Sequence, residues 1–86
     1  DVRINNPKDL AVALAEQRKK LGKTQTEMAD LTVLRQATVS QLENNPENTQ
    51  LKTLFKLLSA LNLELHLEEK GKAEQSGKFN SEVVEW

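Results

Sequence analysis

The sequence predicts a mainly α fold: four to five short helices followed by one C-terminal β-strand. Three observations carry that prediction. Two helix starts are fully spelled out, at Asn6-Pro7 and at Thr24–Glu27. Leu51, Leu54, Phe55, Leu57, Leu58 and Leu61 fall on one side of a helical wheel. The period then changes, and Leu63-Glu64-Leu65-His66-Leu67-Glu68 alternates strictly between apolar and polar residues.

In the first helix Asn6 is an N-cap acceptor, Pro7 takes the first helical position and Asp9 puts an acid in the first turn. Leu10, Ala13, Leu14 and Leu21 follow on one stripe. Arg18, Lys19 and Lys20 complement the dipole at the far end, and Gly22 stops the helix. Thr24-Gln25-Thr26-Glu27 is a capping box that opens a second helix, running to about Leu31. Thr32–Leu34 is expected to turn, and a third helix to span Gln36 to Asn44. Asn44-Asn45-Pro46-Glu47-Asn48 is rich in turn formers. Thr49 is expected to cap the fourth helix, whose apolar arc covers roughly 160° with Lys52 and Lys56 outside it.

Nothing else in the chain alternates like residues 63–68, so the strand lacks an internal partner. A lone strand leaves its own N–H and C=O groups unpaired. It is therefore expected to pair with its own copy in a second subunit, with Leu63, Leu65 and Leu67 facing inward, which makes a two-fold homodimer. The alternative is an amphipathic edge left loose in a monomer. From Glu69 to Ser81 the composition is that of a flexible tail, and it closes on Val83-Val84-Glu85-Trp86. The expected division is a helical domain at 1–62, a dimerising strand at 63–68 and a tail at 69–86.

Composition bounds the function. A chain of 86 residues has room for one domain, and small domains bury only about 60% of their unfolded surface, so association is expected. With 37% apolar and 3% aromatic residues, the core must be built from leucine and alanine. The absence of cysteine removes disulfides, thiolate zinc sites and cysteine nucleophiles, and fits a reducing compartment. No apolar run approaches the ~20 residues of a membrane span, and the start does not read as a signal peptide. Asp1 in place of methionine implies residues ahead of it. Residues 1–62 hold nine basic and seven acidic residues, net +2, while residues 63–86 hold three lysines and six glutamates, net −3. A DNA-binding surface needs a local basic face, not a basic total, so this balance permits one. No nucleophile–base pair, carboxylate dyad or phosphate loop is visible. The chain is thus read as no enzyme, without cofactor, metal or small-molecule substrate. His66, the one histidine, stands on the polar side of the strand, where it would lend the dimer mild pH sensitivity.

The informative constellation is Gln25 to Leu42, read as a helix-turn-helix. Such a motif needs a small residue where its two helices approach, and Ala29 supplies it. Val39 and Leu42 supply the buried side of the second helix. Gln36, Ala37, Ser40, Gln41 and Asn44 cluster within roughly 140° on the other side. These short polar or small side chains let a helix approach base edges in the major groove. Glutamine can bond adenine bidentately, Ala37 can meet a thymine methyl, and Arg35 can reach a guanine or a phosphate. Lys23 and Arg18 are candidate phosphate contacts. The alternative is that the same face is an ordinary solvated helix surface.

At these residues the chain resembles the Xre/phage-repressor family of Cro/lambda-repressor-like helix-turn-helix domains. The resemblance rests on Thr24-Gln25-x-x-Met28-Ala29 and Gln36-Ala37-Thr38-Val39-Ser40-x-Leu42-Glu43-Asn44, and covers residues 7–62. It implies double-stranded operator DNA as partner, with Gln25 and Thr38 beside Lys23 and Arg18 at the DNA backbone. Two positions depart from the pattern. Val33 stands where the family commonly has glycine in the turn, and a β-branched residue is strained at positive φ, so the turn is expected to differ in detail. Arg35 stands where a serine or aspartate usually caps the reading helix.

A second resemblance joins the loop Glu43–Thr49, the leucine strand and a tail ending in Glu85-Trp86. Together they look like a HipB-type antitoxin, the DNA-binding partner of HipA-type serine/threonine kinase toxins. This implies a cytoplasmic dimeric repressor of its own operator palindromes that also neutralises the kinase by direct complex formation. Val83, Val84 and Trp86 would then dock on the toxin, since aromatic anchors recur in binding hot spots. An idle tail, a stand-alone Xre-type repressor and a helical protein-interaction adaptor are the competing readings.

Overall fold

The computed structural model describes residues 3–70. The first helix, α1 (Pro7–Lys20), begins as expected: Asn6 Oδ1 accepts the Asp9 N–H at 2.8 Å, and Pro7 fills the first turn. Its inner side is Ala11, Leu14 and Arg18, with Leu10 and Ala13 half-buried. Leu21, expected on that stripe, is exposed, because it is the C-cap residue where the helix ends. α2 (Gln25–Thr32) carries the capping box in both directions. The Thr24 N–H donates to Glu27 Oε1 at 2.8 Å, and the Glu27 N–H to Thr24 Oγ1 at 3.0 Å. The bond from the Thr24 backbone is the main reason the Glu27 carboxyl titrates below its ordinary value.

The third helix, α3 (Gln36–Asn44), has the expected bounds, and Arg35 precedes it without a side-chain capping bond. A short 3-10 turn, Pro46–Asn48, then leads to α4 (Leu51–Ala60). Gln50, not Thr49, occupies the N-cap of α4. Thr49 closes the 3-10 turn instead, its N–H donated to the Pro46 carbonyl at 3.0 Å.

α2 packs on α3 and α4, and α1 packs on α3. Between them lies a core of Leu14, Met28, Ala29, Val39, Leu42, Leu54, Leu57, Leu58 and Leu61. Thr32 is buried with them, and its hydroxyl bonds back to the carbonyls of Met28 and Ala29 at 2.8 and 3.2 Å. Leu51 and Phe55, at the edge of the predicted arc, are exposed. In so short a chain only the middle of that arc finds cover. No helix among the described residues is long and apolar enough to cross a membrane.

Three helices end on the same backbone device. The N–H of Lys23 reaches the carbonyl of Arg18 at 3.1 Å, Leu34 reaches Ala29 at 2.9 Å, and Leu63 reaches Leu58 at 2.9 Å. Each of these six-to-one bonds marks a Schellman ending, which needs a left-handed residue just before the donor. Gly22 (φ 73°), Val33 (φ 58°) and Asn62 (φ 63°) take that place. The turn at Val33 therefore does not change shape to spare the valine. Val33 adopts the left-handed conformation (φ 58°, ψ 39°), and Leu34 is thereby carried against the core.

The exit from α4 is tied down in the same way. Leu63 is half-buried against the core, and Gln17 Nε2 donates to the Leu61 carbonyl at 3.1 Å. Beyond it Leu65 and Leu67 are 46% and 78% exposed. Among the described residues no strand is formed, and the alternating segment has no ladder partner among them. Leu63 is also claimed by its own core, in contrast to the expectation that all three leucines face a second subunit. Val83, Val84, Trp86 and most of the expected tail lie outside the described residues.

Candidate nucleic-acid interface

The α3 helix divides cleanly into two sides. Val39 and Leu42 are buried in the core, while Gln36, Ala37 and Gln41 are exposed and Thr38 and Ser40 are half-buried. Arg35 is exposed at the start of the helix, and Lys23 is exposed just before α2. Of the base-reading group expected from the sequence, Gln36, Ala37, Ser40 and Gln41 are therefore gathered on one short helix, with Arg35 at its N-cap. Ser40 Oγ accepts from Asn44 Nδ2 at 3.2 Å, which leaves the serine hydroxyl proton free to donate.

Gln25, at the start of α2, links the two helices of the motif. Its Oε1 accepts from Gln36 Nε2 at 2.8 Å, and its Nε2 donates to Glu43 Oε1 at 3.0 Å. Gln25 thus fastens the outward end of α3 to a carboxylate on the inner side of the same helix.

Arg18, expected among the phosphate contacts, is committed inside the fold. Its Nε and Nη2 grip Glu43 Oε2 and Oε1 at 2.7 and 2.9 Å, and its Nη1 donates to the Lys23 carbonyl at 2.8 Å. The two side chains are only 11% and 9% exposed. A guanidinium with its fork filled by a carboxylate and a carbonyl has little left to offer a phosphate. Burial pushes the Glu43 carboxyl up. Hydrogen bonds from Arg18 and Gln25, with the charges of Arg18 and Lys19, outweigh it, and the group titrates below the usual carboxylate range. The hydrogen bond to Glu43 raises Arg18 in turn.

Glu43 is the residue that sequence reasoning missed. One signal pointed toward it: Arg18 shares the spacing of Ala11 and Leu14 on the inner side of α1, and a charge on a buried stripe requires a partner. Nothing local says that the partner lies 25 residues away.

A helix-turn-helix family model matches residues 14–67, from within α1 to the segment after α4. The chain is 45% identical over 65 residues to antitoxin HipB of Escherichia coli strain K12, covering 76% of this chain and 74% of that protein. It is equally similar to antitoxin HipB of Escherichia coli O6:H1, covering 69% of that protein. The chain belongs to the HipB antitoxin family of helix-turn-helix proteins. Solved structures of HipB agree. A HipB–O4 20mer complex and a HipA–HipB–O2–O3 complex each contain a chain with a TM-score of 0.76 and 43% identity to this one, covering 79% of this chain and 96% of that one. The part of the chain matched by the family model contains Arg18, Gln25, Gln36 and Glu43, so the whole linkage lies inside the HipB-like domain.

Proposed function

We propose that the chain is a sequence-specific operator-binding repressor and the antitoxin of a type II toxin–antitoxin pair, acting in the cytoplasm by binding and without catalysis. As a homodimer it binds double-stranded operator palindromes, and it neutralises a HipA-type serine/threonine kinase by direct complex formation. The observation that carries the DNA-reading part is the two-sided α3: Val39 and Leu42 lock it to the core while Gln36, Ala37 and Gln41 stand outward, with Ser40 half-buried beside them. The similarity to HipB in complexes with 20mer and HipA supports the two partners.

Gln36, Ala37, Ser40 and Gln41, with Arg35, read bases in the major groove. Gln25, Lys23 and Thr38 hold the DNA backbone. The helical domain, 1–62, does this reading. Residues 63–68 pair with their copy to make the dimer, through Leu65 and Leu67, with Leu63 as the anchor that joins the strand to the core. The tail, 69–86, reaches the kinase, with Val83, Val84 and Trp86 as its docking end.

The test is a gel shift with the DNA upstream of the gene. The wild-type chain is expected to retard it, and Gln36→Ala with Ser40→Ala to bind it at least tenfold more weakly. Unchanged affinity in the double variant would remove α3 as the reading helix. Co-purification of a kinase-like protein encoded next to this one, lost on deleting residues 82–86, tests the antitoxin half.

A further inference from the structure

The alternation of residues 63–68 leaves open which residue of one copy lies opposite which residue of the other. In an antiparallel pair, residues directly opposite share a face. A two-fold pairing of one segment with its copy is therefore specified by the residue that lies opposite itself. Registers that set glutamate opposite leucine put both on one face, and the alternation excludes them.

The remaining choices differ in charge and in reach. Centred on Leu63 or Glu64, the ladder would have to recruit Leu61 and Asn62. Leu61 is buried in the core, and Asn62 stands at φ 63°, outside any strand conformation. Centred on His66, Glu64 would face the partner's Glu68 and Leu63 the partner's Glu69. Centred on Leu67, Leu65 would face the partner's Glu69. Centred on Leu65, Leu63 faces the partner's Leu67, Leu65 faces its own copy, and Glu64 faces the partner's His66. Each leucine then meets a leucine, and each histidine a carboxylate.

We infer that two copies pair antiparallel about Leu65, which sets Glu64 of each opposite the partner's His66 and makes the dimer tighten as those histidines gain protons. The inference rests on the proposed dimerisation through residues 63–68 and adds its register and its regulation. Two observations of the single chain support it. His66 Nε2 lies 3.9 Å from Glu64 Oε1, and both side chains are exposed, so the two already share one open face. Leu63 and Leu65 border a groove with Leu10 and Ala13 of α1. The register brings to that groove the partner's Leu67, whose counterpart in the single chain is 78% exposed.

The charges around each histidine favour its protonated form. Glu64 and Glu68 flank it on its own strand, and the partner's Glu64 lies directly opposite. Against them stands the partner's His66 on the diagonal, about 7–8 Å away. On α1, Glu16 and Lys20 border the same groove as Glu64 and offset one another in charge. An opposite carboxylate favours a protonated imidazole. The dimer therefore holds these protons more tightly than separate chains do, and by linkage proton uptake strengthens association. This holds above about pH 5, where glutamates remain ionised.

The experiment measures dimer dissociation of the full chain by analytical ultracentrifugation at about 0.1 M salt, at pH 8 and at pH 6. His66 is the one histidine of the sequence and supplies the side-chain charge change across that range. With two exposed cross-strand pairs, Kd is expected to be about threefold to tenfold lower at pH 6. In Glu64→Gln the shift should fall below about twofold, and in Glu64→Lys it should reverse, the dimer being weaker at pH 6. In about 1 M salt the wild-type shift should shrink in the same way. Register is read separately. An equimolar mixture of Glu64→Cys and His66→Cys chains, mildly oxidised, should cross-link mainly to the mixed 64–66 product, since the sequence has no other cysteine. If the wild-type Kd is equal at the two pH values, or if 64–64 and 66–66 products dominate, the inference is overturned while the dimer stands. If the wild type is a monomer at every concentration, dimerisation itself fails and the inference with it.

Discussion

Replacing Val33 by glycine is expected to stabilise this protein although it removes a side chain. Val33 sits at φ 58°, ψ 39°, where a residue with a Cβ is strained by about 1–2 kcal/mol, and β-branching puts valine at the upper end. Its side chain is 87% exposed, so its loss leaves no cavity and forfeits little buried area. Glycine relieves the strain but loses more backbone entropy on folding, which returns about 0.5–1 kcal/mol. The net gain is about 1–1.5 kcal/mol. For a domain of this size that raises Tm by about 4–12 °C. The assay is thermal unfolding followed by circular dichroism, with urea denaturation as a check on ΔG. The two other Schellman endings supply internal controls. Gly22 occupies the same backbone state, and a Cβ built there meets nothing within 4 Å. Gly22→Ala should therefore lower stability by about 1 kcal/mol through backbone strain alone. Asn62→Gly should gain less than Val33→Gly, because asparagine tolerates the left-handed region. A Val33→Gly variant with unchanged or lowered Tm, alongside a neutral Gly22→Ala, would refute the reasoning that strain at these three positions decides their preferred residue.

Other perturbations test the packing and the charges. Arg18→Met or Glu43→Leu alone should each cost about 3–5 kcal/mol in urea denaturation, because each strands a buried charge, whereas the two together should recover most of the loss. The depressed carboxyls of Glu43 and Glu27 contribute stability above their unfolded value of about 4.5, and that stability is lost as pH falls through their lower folded values. Tm should thus decline below about pH 4.5, and less steeply in Glu43→Gln measured against its own neutral-pH value. Leu65→Asp with Leu67→Asp should abolish the dimer in sedimentation analysis while leaving the helical circular dichroism of the chain intact. Leu63→Ala should lower Tm, since that leucine also packs on the core.

The helix starts were legible because their determinants are local. Asn6 and Asp9, or Thr24 and Glu27, are three residues apart and bond to one another whatever the rest of the chain does. The start of α4 was read one residue early because Pro46 builds a 3-10 turn that claims the Thr49 N–H first. The outward side of α3 was legible from its period, and the residues that hold it were not. Arg18 and Glu43 meet across 25 positions of sequence, and Gln25 and Gln36 across 11. Only the folded packing of α1, α2 and α3 brings them together. Leu51 and Phe55 show the opposite failing: their period places them correctly on α4, yet it says nothing about how much of that side one small chain can cover.

The tethering of the α4 exit has a mechanical consequence. The Leu61 carbonyl is held by Gln17 of α1, and Leu63 is seated on the same core that seats Val39 and Leu42 of α3. The proposed dimer-joining segment and the proposed reading helix are therefore two ends of one stiff lever. In a dimer joined through residues 63–68, the separation of the two readers is set by the thickness of that core. Trimming Leu58 or Leu61, neither of which faces DNA, should shift the centre-to-centre spacing of half-sites that the dimer accepts away from one helical turn, roughly 34–36 Å. Operator spacing is then a dimension inherited from leucine packing, and drift in the core would be felt as a change in which promoters the protein can grip.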